Sequence, residues 1–220
     1  MKKDYQGSLI VGLALTLGLL IAAFFGYSAF LAWDAKDMMV SKLPSGSMEP
    51  TLLLGDYFTS TRLGNTRTAA TLRRGDVVIF LWPEDTTKQF VKRLIGLPGD
   101  TIAMKDAVVT LNGRTLREPY ATMTDSVDPV VDDFRWQRRF LVGQVARATS
   151  HYVASRNNWG PLLVPANRYF VLGDRRDASL DSRYFGFVPA SEIVGHVRRV
   201  YFSRDTNGVI RWSRIGHLVR

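Results

Sequence analysis

The sequence contains no cysteine and only three histidines among its 220 residues. Without cysteine the chain can form neither disulfides nor thiolate metal sites, and thiol catalysis is excluded. The absence does not decide the compartment, because an exported protein can also fold without disulfides. The histidines, His151, His196 and His217, stand in no motif. The sequence therefore favours neither a Ser-His-Asp triad nor a histidine metal site, and it predicts no metal and no other cofactor.

Acidic residues are fewer than basic residues. There are 20 Asp and Glu against 29 Lys and Arg, so the formal net charge is +9. Such a basic chain could bind nucleic acid or anionic lipid headgroups. The arginines are scattered rather than clustered, and no nucleic-acid motif occurs. We therefore expect membrane lipid, and not nucleic acid, as a partner.

Only one long apolar run is present, at residues 9–33, and it contains no charged residue. As a helix, 25 residues would measure roughly 37 Å, enough for a tilted span of a hydrocarbon core about 30 Å thick. The run is too long for the core of a cleaved signal peptide. Lys2 and Lys3 precede it, whereas residues 34–37 hold two aspartates and one lysine. The charge bias predicts a cytoplasmic N-terminus and export of the rest of the chain.

Beyond this predicted anchor, short β-rich segments are bounded by Gly, Pro or Asp, and no convincing amphipathic helix follows. The exported part is therefore predicted to be mainly β, an antiparallel sheet domain. Asn-Gly turns favour two hairpins, one at residues 108–116 and a closing one at residues 197–212. The predicted strands are Asp56–Arg62, Asp76–Trp82, Phe90–Ile95, the two arms of Val108–Leu116, Arg168–Leu172, Val197–Phe202 and Val209–Trp212.

Residues 117–165 read differently, with clustered charge and weak periodicity. We interpret them as an inserted subdomain between the two parts of a catalytic core, 34–116 and 166–220. The predicted order along the chain is a cytoplasmic tail at 1–8, a single transmembrane helix at 9–33, and then this interrupted β-rich core.

A defined turn follows the anchor at residues 44–50, Pro-Ser-Gly-Ser-Met-Glu-Pro. The two prolines fix their backbone angles, and Gly46 allows a sharp bend. A serine held on such a bend could be a nucleophile. On local grounds the stretch could equally be a linker, because Ser-Gly-Ser is common in linkers.

Two further segments carry candidate chemistry. Lys92 interrupts a strand that is apolar on both sides, and it could lie on the solvent face of an edge strand. Alternatively, an apolar site would lower its pKa and leave a neutral amine able to act as a base. The neighbouring Arg93 could not do this, because a guanidinium stays protonated. The second segment, residues 173–189, alternates charges beside an aromatic run, as a solvated loop or an ion-paired support would.

Four segments together resemble the ordered conserved boxes of type I signal peptidases, which are membrane-anchored serine proteases with a Ser–Lys dyad. These segments are Pro44–Leu52, Arg74–Phe80, Val91–Asp100 and Gly173–Pro189. The resemblance covers the predicted anchor and nearly all of the exported part except residues 117–165.

The resemblance implies Ser47 as the nucleophile, Lys92 as the general base and Ser45 as a hydroxyl donor to the oxyanion. It implies that Ser179 orients the Lys92 amine. It also implies structural support near the site from Asp174, Arg176, Asp181 and Arg183. The chain departs from the usual pattern at Arg175, Ala178 and Phe185, where Asn, Asn and Trp respectively are common. These departures touch no implied catalytic residue, but they leave the effect on the supporting loop open.

The implied function is removal of N-terminal signal peptides from exported preproteins with small residues before the cleavage site. The implied location is the bacterial cell (inner) membrane, with a single pass and an extracytoplasmic catalytic domain. Two alternatives remain open. One is a Ser–Lys protease dedicated to a single partner, such as a pilin or conjugation protein; the other is a non-enzymatic, membrane-tethered basic β-domain. The sequence does not indicate the oligomeric state.

Overall fold

The computed structural model describes residues 15–25, 38–63, 72–130, 132–143, 145 and 152–220. The chain divides into two compact units, Met1–Met38 and Met39–Arg220. In the first unit residues 15–25 are helical. Most of the span predicted at residues 9–33 lies outside the described residues. Among those that are described, no helix has the length and apolar character needed to cross a membrane.

Two antiparallel sheets make up the second unit, which confirms the mainly β prediction. The larger contains β1 (Met38–Lys42), β2 (Asp56–Arg62), β3 (Val77–Trp82), β4 (Asp85–Gly96), β9 (Arg168–Leu172), β10 (Val188–Pro189) and β11 (Ile193–Ser203). Its strand order is β1-β2-β11-β3-β4-β9-β10. The smaller contains β5 (Thr101–Lys105), β6 (Val108–Leu111), β7 (Arg114–Thr115) and β8 (Trp159–Leu163), in the order β7-β6-β5-β8.

The described helical segments of the second unit are short. One α-helical turn covers Ser182–Phe185, where the Asp181 side chain accepts a hydrogen bond from the Arg183 N–H and so caps the turn. A capping carboxylate satisfies a backbone donor that has no partner inside the helix. The 3₁₀ segments are Asp132–Phe140, Arg176–Ala178, Ala190–Glu192 and Trp212–Arg214.

The apolar core reaches directly beneath the serine turn. Met48 and Leu52 are fully buried and belong to the same cluster as Phe58, Ile79 and Val200. Burying a side chain of this size contributes about 1.5–3 kcal/mol. The apolar residues that flank Ser47 therefore anchor its turn to the larger sheet.

Several strand predictions are confirmed. The bounds of β2 and β9 match the predicted Asp56–Arg62 and Arg168–Leu172. Asn112 and Gly113 join β6 to β7 with φ values of 51° and 77°. Positive φ at both central residues is what a type I′ hairpin turn requires, as the Asn-Gly pair predicts.

The prediction of the closing hairpin was wrong for its second arm, Val209–Trp212. Only an isolated bridge joins Arg204 to Ile210, and the chain then turns into the 3₁₀ segment Trp212–Arg214. The reason is a salt bridge of 2.5 Å between Arg214 and the buried Asp56 carboxylate, which draws this segment onto the start of β2. A pattern of local residues does not encode such a distant partner.

Strands β1, β5, β8 and β10 were not predicted. Strand β8 lies inside residues 117–165 and pairs with β5. Its Gly160-Pro161 pair does not favour a strand prediction, because proline within an apolar run argues against a strand. The bounds of the insertion remain a prediction, but this part of the range lies in the smaller sheet.

Candidate active site

The serine turn is a closed β-turn. The Glu49 N–H donates to the Gly46 carbonyl at 3.1 Å, and Leu52 N–H donates to the Met48 carbonyl at 2.9 Å. Ser47 is therefore the second residue of a four-residue turn, and it is buried although its chain neighbours Ser45 and Gly46 are not. Within the described ranges its own backbone N–H has no carbonyl partner.

Strand β4 brings Lys92 to this turn. Lys92 is buried, and its Nζ lies 2.6 Å from Ser47 Oγ. Side chains alternate along a strand, so Phe90 lies on the same face as Lys92, and the ammonium nitrogen is 5.6 Å from the centre of the Phe90 ring. The structure thus joins the two residues that the sequence singled out, although 44 residues separate them along the chain.

The surroundings make the ammonium form of Lys92 a stronger acid than that of an exposed lysine. Burial lowers its pKa to about 8; the Asp181 carboxylate opposes this, the Arg183 guanidinium adds to it, and Asp174 opposes it. Burial acts in this direction because it disfavours the charged form of an amine. A sizeable neutral fraction of Lys92 therefore exists near neutral pH.

Ser45 lies at the mouth of the same turn. Its Oγ is 3.2 Å from Ser47 Oγ, and its side chain is exposed. The Ser47 oxygen consequently has an amine on one side and a second hydroxyl on the other. This arrangement can take a proton from Ser47 and offer a donor beside it.

Ser179 is buried, and within the described part of the chain no hydrogen bond joins its Oγ to Lys92. It lies against Gly173, where an added Cβ would collide with Ser179 Oγ and stand 2.6 Å from the Ser47 carbonyl oxygen. Gly173 thus provides the space in which Ser179 and the serine turn meet. The implied hydrogen bond from Ser179 to Lys92 is not formed, and its orienting role stays a prediction.

Asp181 and Arg183 form a fully buried pair. Arg183 donates from Nε to Asp181 Oδ1 at 2.8 Å and from Nη2 to Oδ2 at 2.9 Å. Burial would raise the pKa of Asp181, but the Arg183 charge and hydrogen bonds hold it below its ordinary value. The same carboxylate accepts from the Gly173 N–H, so the pair fixes the loop behind the lysine.

Asp174 has a buried partner in Arg93. Arg93 donates from Nε to Asp174 Oδ1 at 2.8 Å and from Nη2 to Oδ2 at 2.7 Å. The Thr51 hydroxyl donates to the same carboxylate at 2.5 Å, and Arg93 stacks on the Tyr120 ring. Such bidentate charge-assisted contacts are among the stronger hydrogen bonds in proteins. They lock β4, the serine turn and residue 174 together.

Arg176 pairs with Glu118, which lies in the predicted insertion, at 2.6 and 3.1 Å. Sequence reasoning missed Glu118, and it considered Arg93 only as a rejected base. An arginine next to the candidate lysine in an apolar strand is a usable signal for a buried ion pair, because such a charge needs a partner. Glu118 gave no comparable signal.

A cleft of about 320 Å³ opens beside the two catalytic candidates. Its walls are mostly apolar, and they are formed by Leu43, Pro44, Ser45, Ser47, Gln89, Phe90, Val91, Lys92, Ala178 and Leu180. Strand β9 pairs with β4 only from Arg93 onward, so the preceding residues of β4 leave one edge open to this cleft among the described strands. An extended peptide could add to such an edge as a further strand.

The histidines lie elsewhere. His196 faces Asp76 at 3.6 Å, and burial lowers its pKa. His217 is exposed, and His151 lies outside the described residues. In the described ranges no group of three His, Cys, Asp or Glu side chains is placed to hold a metal ion.

Comparison with known proteins gives consistent matches. The family model "Signal peptidase, peptidase S26" matches residues 11–202. A signal peptidase I from Bacillus licheniformis is 32% identical over 86% of this chain and 84% of its own length. One from Buchnera aphidicola is 28% identical over 80% of this chain and 74% of its own. A crystal structure of a signal peptidase I from Enterococcus faecalis V583 has 32% identity and a TM-score of 0.39, covering 57% of this chain and 96% of that one.

Proposed function

The chain belongs to the peptidase S26 family of signal peptidases, and we propose that it removes signal peptides from exported preproteins with Ser47 as nucleophile and Lys92 as general base. Its relatives from Bacillus licheniformis and Buchnera aphidicola bear the name signal peptidase I. The reaction class is that of a serine endopeptidase.

The observation that carries the proposal is the 2.6 Å contact between Lys92 Nζ and Ser47 Oγ in a buried setting. Serine is a weak nucleophile until a base takes its proton, and a neutral amine at this distance can do so. Ser47 Oγ then attacks the scissile carbonyl carbon, and the Ser47 proton moves to Lys92. The resulting ammonium gives that proton to the leaving amine, and the acyl-enzyme forms as the peptide bond breaks.

Water completes the cycle. It attacks the ester carbon of the acyl-enzyme while Lys92 accepts a proton from the water. When the ester bond breaks, Lys92 returns a proton to Ser47 Oγ. In both halves the carbonyl oxygen carries negative charge in a tetrahedral intermediate. The Ser47 N–H and the Ser45 hydroxyl are the donors we assign to that oxyanion. One such donor typically contributes about 10²–10³ in rate.

The remaining predicted residues support this machinery. Ser179 would orient the Lys92 amine once the site is occupied. Asp174 and Arg176 hold the loop through Arg93 and Glu118. Asp181 and Arg183 form an ion pair that holds the later part of the loop. Their charges also act on the pKa of Lys92 in opposite directions.

The cleft suits an extended preprotein segment. Its apolar walls and the open edge of β4 favour a strand-like segment whose backbone pairs with β4 and whose side chains enter the cleft. Small residues before the cleavage site are typical of signal peptides.

We further propose that residues 9–33 anchor the enzyme in the bacterial cell membrane by a single pass. The two lysines before the run favour a cytoplasmic N-terminus, which places the catalytic part on the extracytoplasmic side. The excess of basic residues favours contact with anionic lipid headgroups. Exported preproteins, held in the same membrane by their own apolar segments, would meet the enzyme there.

One assay tests the proposed function. Purified full-length protein in detergent is mixed with model preproteins, and the N-termini of the products are sequenced. Cleavage after small residues in several unrelated preproteins supports general signal-peptide removal, and Ser47→Ala should abolish it. Cleavage of a single pilin-type or conjugation-type substrate would indicate the dedicated protease instead. A folded protein that cleaves no substrate would overturn the proposal.

A further inference from the structure

Arg175 departs from the usual family pattern, and its guanidinium faces two carboxylates: it binds Glu49, and its Nε lies 4.0 Å from Asp177. Arg175 Nη1 donates to Glu49 Oε2 at 3.0 Å. Glu49 lies two residues after Ser47, so this ion pair joins the 173–189 loop to the serine turn. The proposed reaction uses neither side chain.

The backbone of Arg175 makes a second contact with the same turn. Its N–H donates to the Ser47 carbonyl at 3.1 Å. The turn itself is closed by the Glu49 N–H and the Gly46 carbonyl. Arg175 therefore holds the turn at two points, through its main chain at Ser47 and through its guanidinium at the closing residue Glu49.

The Glu49 carboxylate also covers the first residue of the turn. A Cβ added to Gly46 would lie 3.0 Å from Glu49 Oε1. One carboxylate oxygen thus packs over Gly46 while the other accepts from Arg175. The carboxylate therefore lies against the residue that precedes Ser47, whose N–H is the proposed oxyanion donor.

Thr122 connects the same two segments without any charge. Its hydroxyl donates to the Glu49 carbonyl at 3.2 Å, and its N–H donates to the Asp174 carbonyl at 2.8 Å. Neither bond involves the Arg175 guanidinium or the Glu49 carboxylate. The Arg175 and Glu49 side chains are also 35% and 31% exposed, and ion pairs of that kind contribute little to folding stability.

We propose that the Glu49–Arg175 ion pair positions the serine turn for catalysis, holding the Ser47 N–H in the geometry that the oxyanion requires. This inference rests on the proposed function. Both are positioning residues, since they act through Ser47 and touch no substrate atom. A misplaced donor weakens only contacts that are made in the transition state. Loss of the ion pair should therefore lower kcat and leave KM nearly unchanged.

The test uses full-length protein in detergent and a peptide that spans a signal-peptide cleavage site. The variants are Glu49→Gln, Arg175→Ala, Arg175→Lys and the charge-swapped double variant Glu49→Arg/Arg175→Glu. Arg114→Ala is the matched control, because it removes another surface arginine, at an exposed position of β7 in the smaller sheet. For each variant kcat, KM and Tm are measured, together with hydrogen exchange of residues 44–52.

Neutralising either partner should lower kcat by about tenfold, with KM within about twofold and Tm within about 2 °C. Arg175→Lys should recover most of the lost kcat, and the charge swap should recover part of it, because a carboxylate at position 175 would also lie near Asp177. Exchange of residues 44–52 should quicken in the neutralised variants and slow again in the swap, and Arg114→Ala should match the wild type throughout.

Unchanged kcat in the neutralised variants would overturn the proposal. So would a loss of kcat that neither rescue variant recovers, because that pattern indicates a structural role for each residue alone. If the wild type cleaves no peptide, the proposed function fails; the exchange measurement then still decides whether the ion pair holds the turn.

Discussion

Lys92 Nζ lies 2.6 Å from Ser47 Oγ, and the two residues are only 4% and 6% exposed. Short distance and burial together explain why a lysine suits the role of base that we propose for it. An amine can lose its proton in an apolar site, whereas a guanidinium stays charged.

Lys92→Arg should therefore abolish cleavage even though it conserves the charge. We expect an initial rate on a model preprotein at least about 10³-fold below the wild type, because no other described base contacts Ser47. Replacing His151, His196 and His217 together should leave the rate unchanged. An active arginine variant, or a rate that depends on the histidines, would exclude the Ser–Lys mechanism.

The pH profile should follow the lysine. Only the neutral amine accepts the Ser47 proton, and burial lowers the pKa of Lys92 to about 8. We expect kcat/KM to rise about tenfold per pH unit below that value and to level off above it. Steady-state rates between about pH 6 and 10 check this, with buffers of constant ionic strength. A profile that is flat across this range would contradict a buried lysine base.

Lys92 should also destabilise the fold near neutral pH. Its folded pKa of about 8 is lower than the ordinary value of 10.5, so the unfolded chain binds more protons between these values. Stability from this group therefore rises with pH across that window and is lowest below it. Lys92→Met should raise the free energy of unfolding at pH 7 by about 1–3 kcal/mol and remove this rise. Denaturant titrations at pH 7 and 10 provide the measurement; a Lys92→Met variant less stable than the wild type at pH 7 would be the contrary result.

Ser45→Ala should slow the reaction without weakening substrate binding. The Ser45 hydroxyl lies 3.2 Å from Ser47 Oγ and is the assigned side-chain donor to the oxyanion. Its loss should lower kcat by about 10²–10³ with KM little changed. Ser45→Thr keeps a hydroxyl and should retain much of the activity. Equal activity of the alanine and threonine variants would remove Ser45 from the oxyanion site.

Gly173→Ala should disturb the site through space alone. The added methyl would collide with Ser179 Oγ and stand 2.6 Å from the Ser47 carbonyl oxygen. We expect activity to fall by about 10² or more, because the serine turn must shift. Gly18→Ala is the control, since no heavy atom lies within 4 Å of the corresponding methyl position. Normal kinetics for Gly173→Ala would show that the turn can relax at no catalytic expense.

The predictability of the site differs from residue to residue. Lys92 could be chosen over Arg93 from acid–base chemistry, and Ser47 over Ser45 from the resemblance. The contact between Ser47 and Lys92 could not be derived from their spacing, because it depends on how the serine turn packs against β4. The support network was harder still: Glu118 and Thr122 reach the site from a region whose sequence has no regular period.

Fold prediction shows the same division. Strands β2 and β9 and the β6–β7 hairpin follow from local alternation and Asn-Gly turn chemistry. Strand β8 does not, because Pro161 argues against a strand, whereas pairing with the distant β5 and burial of Trp159 and Leu162 stabilise it. The arm after Asn207-Gly208 fails for the opposite reason, since a distant ion pair to Asp56 overrides a good local pattern.

The alternation of side chains along β4 limits which insertions the strand can accept. Adjacent residues of this strand serve opposite faces: Lys92 meets Ser47, and Arg93 meets Asp174. A shift of the strand by one residue would exchange those faces and put a permanently charged guanidinium where the base belongs. Insertions into the β3–β4 hairpin are therefore governed by parity. Two residues added at the tip would keep Lys92 facing Ser47. A single residue added within the strand would turn Lys92 away from Ser47 and should abolish activity.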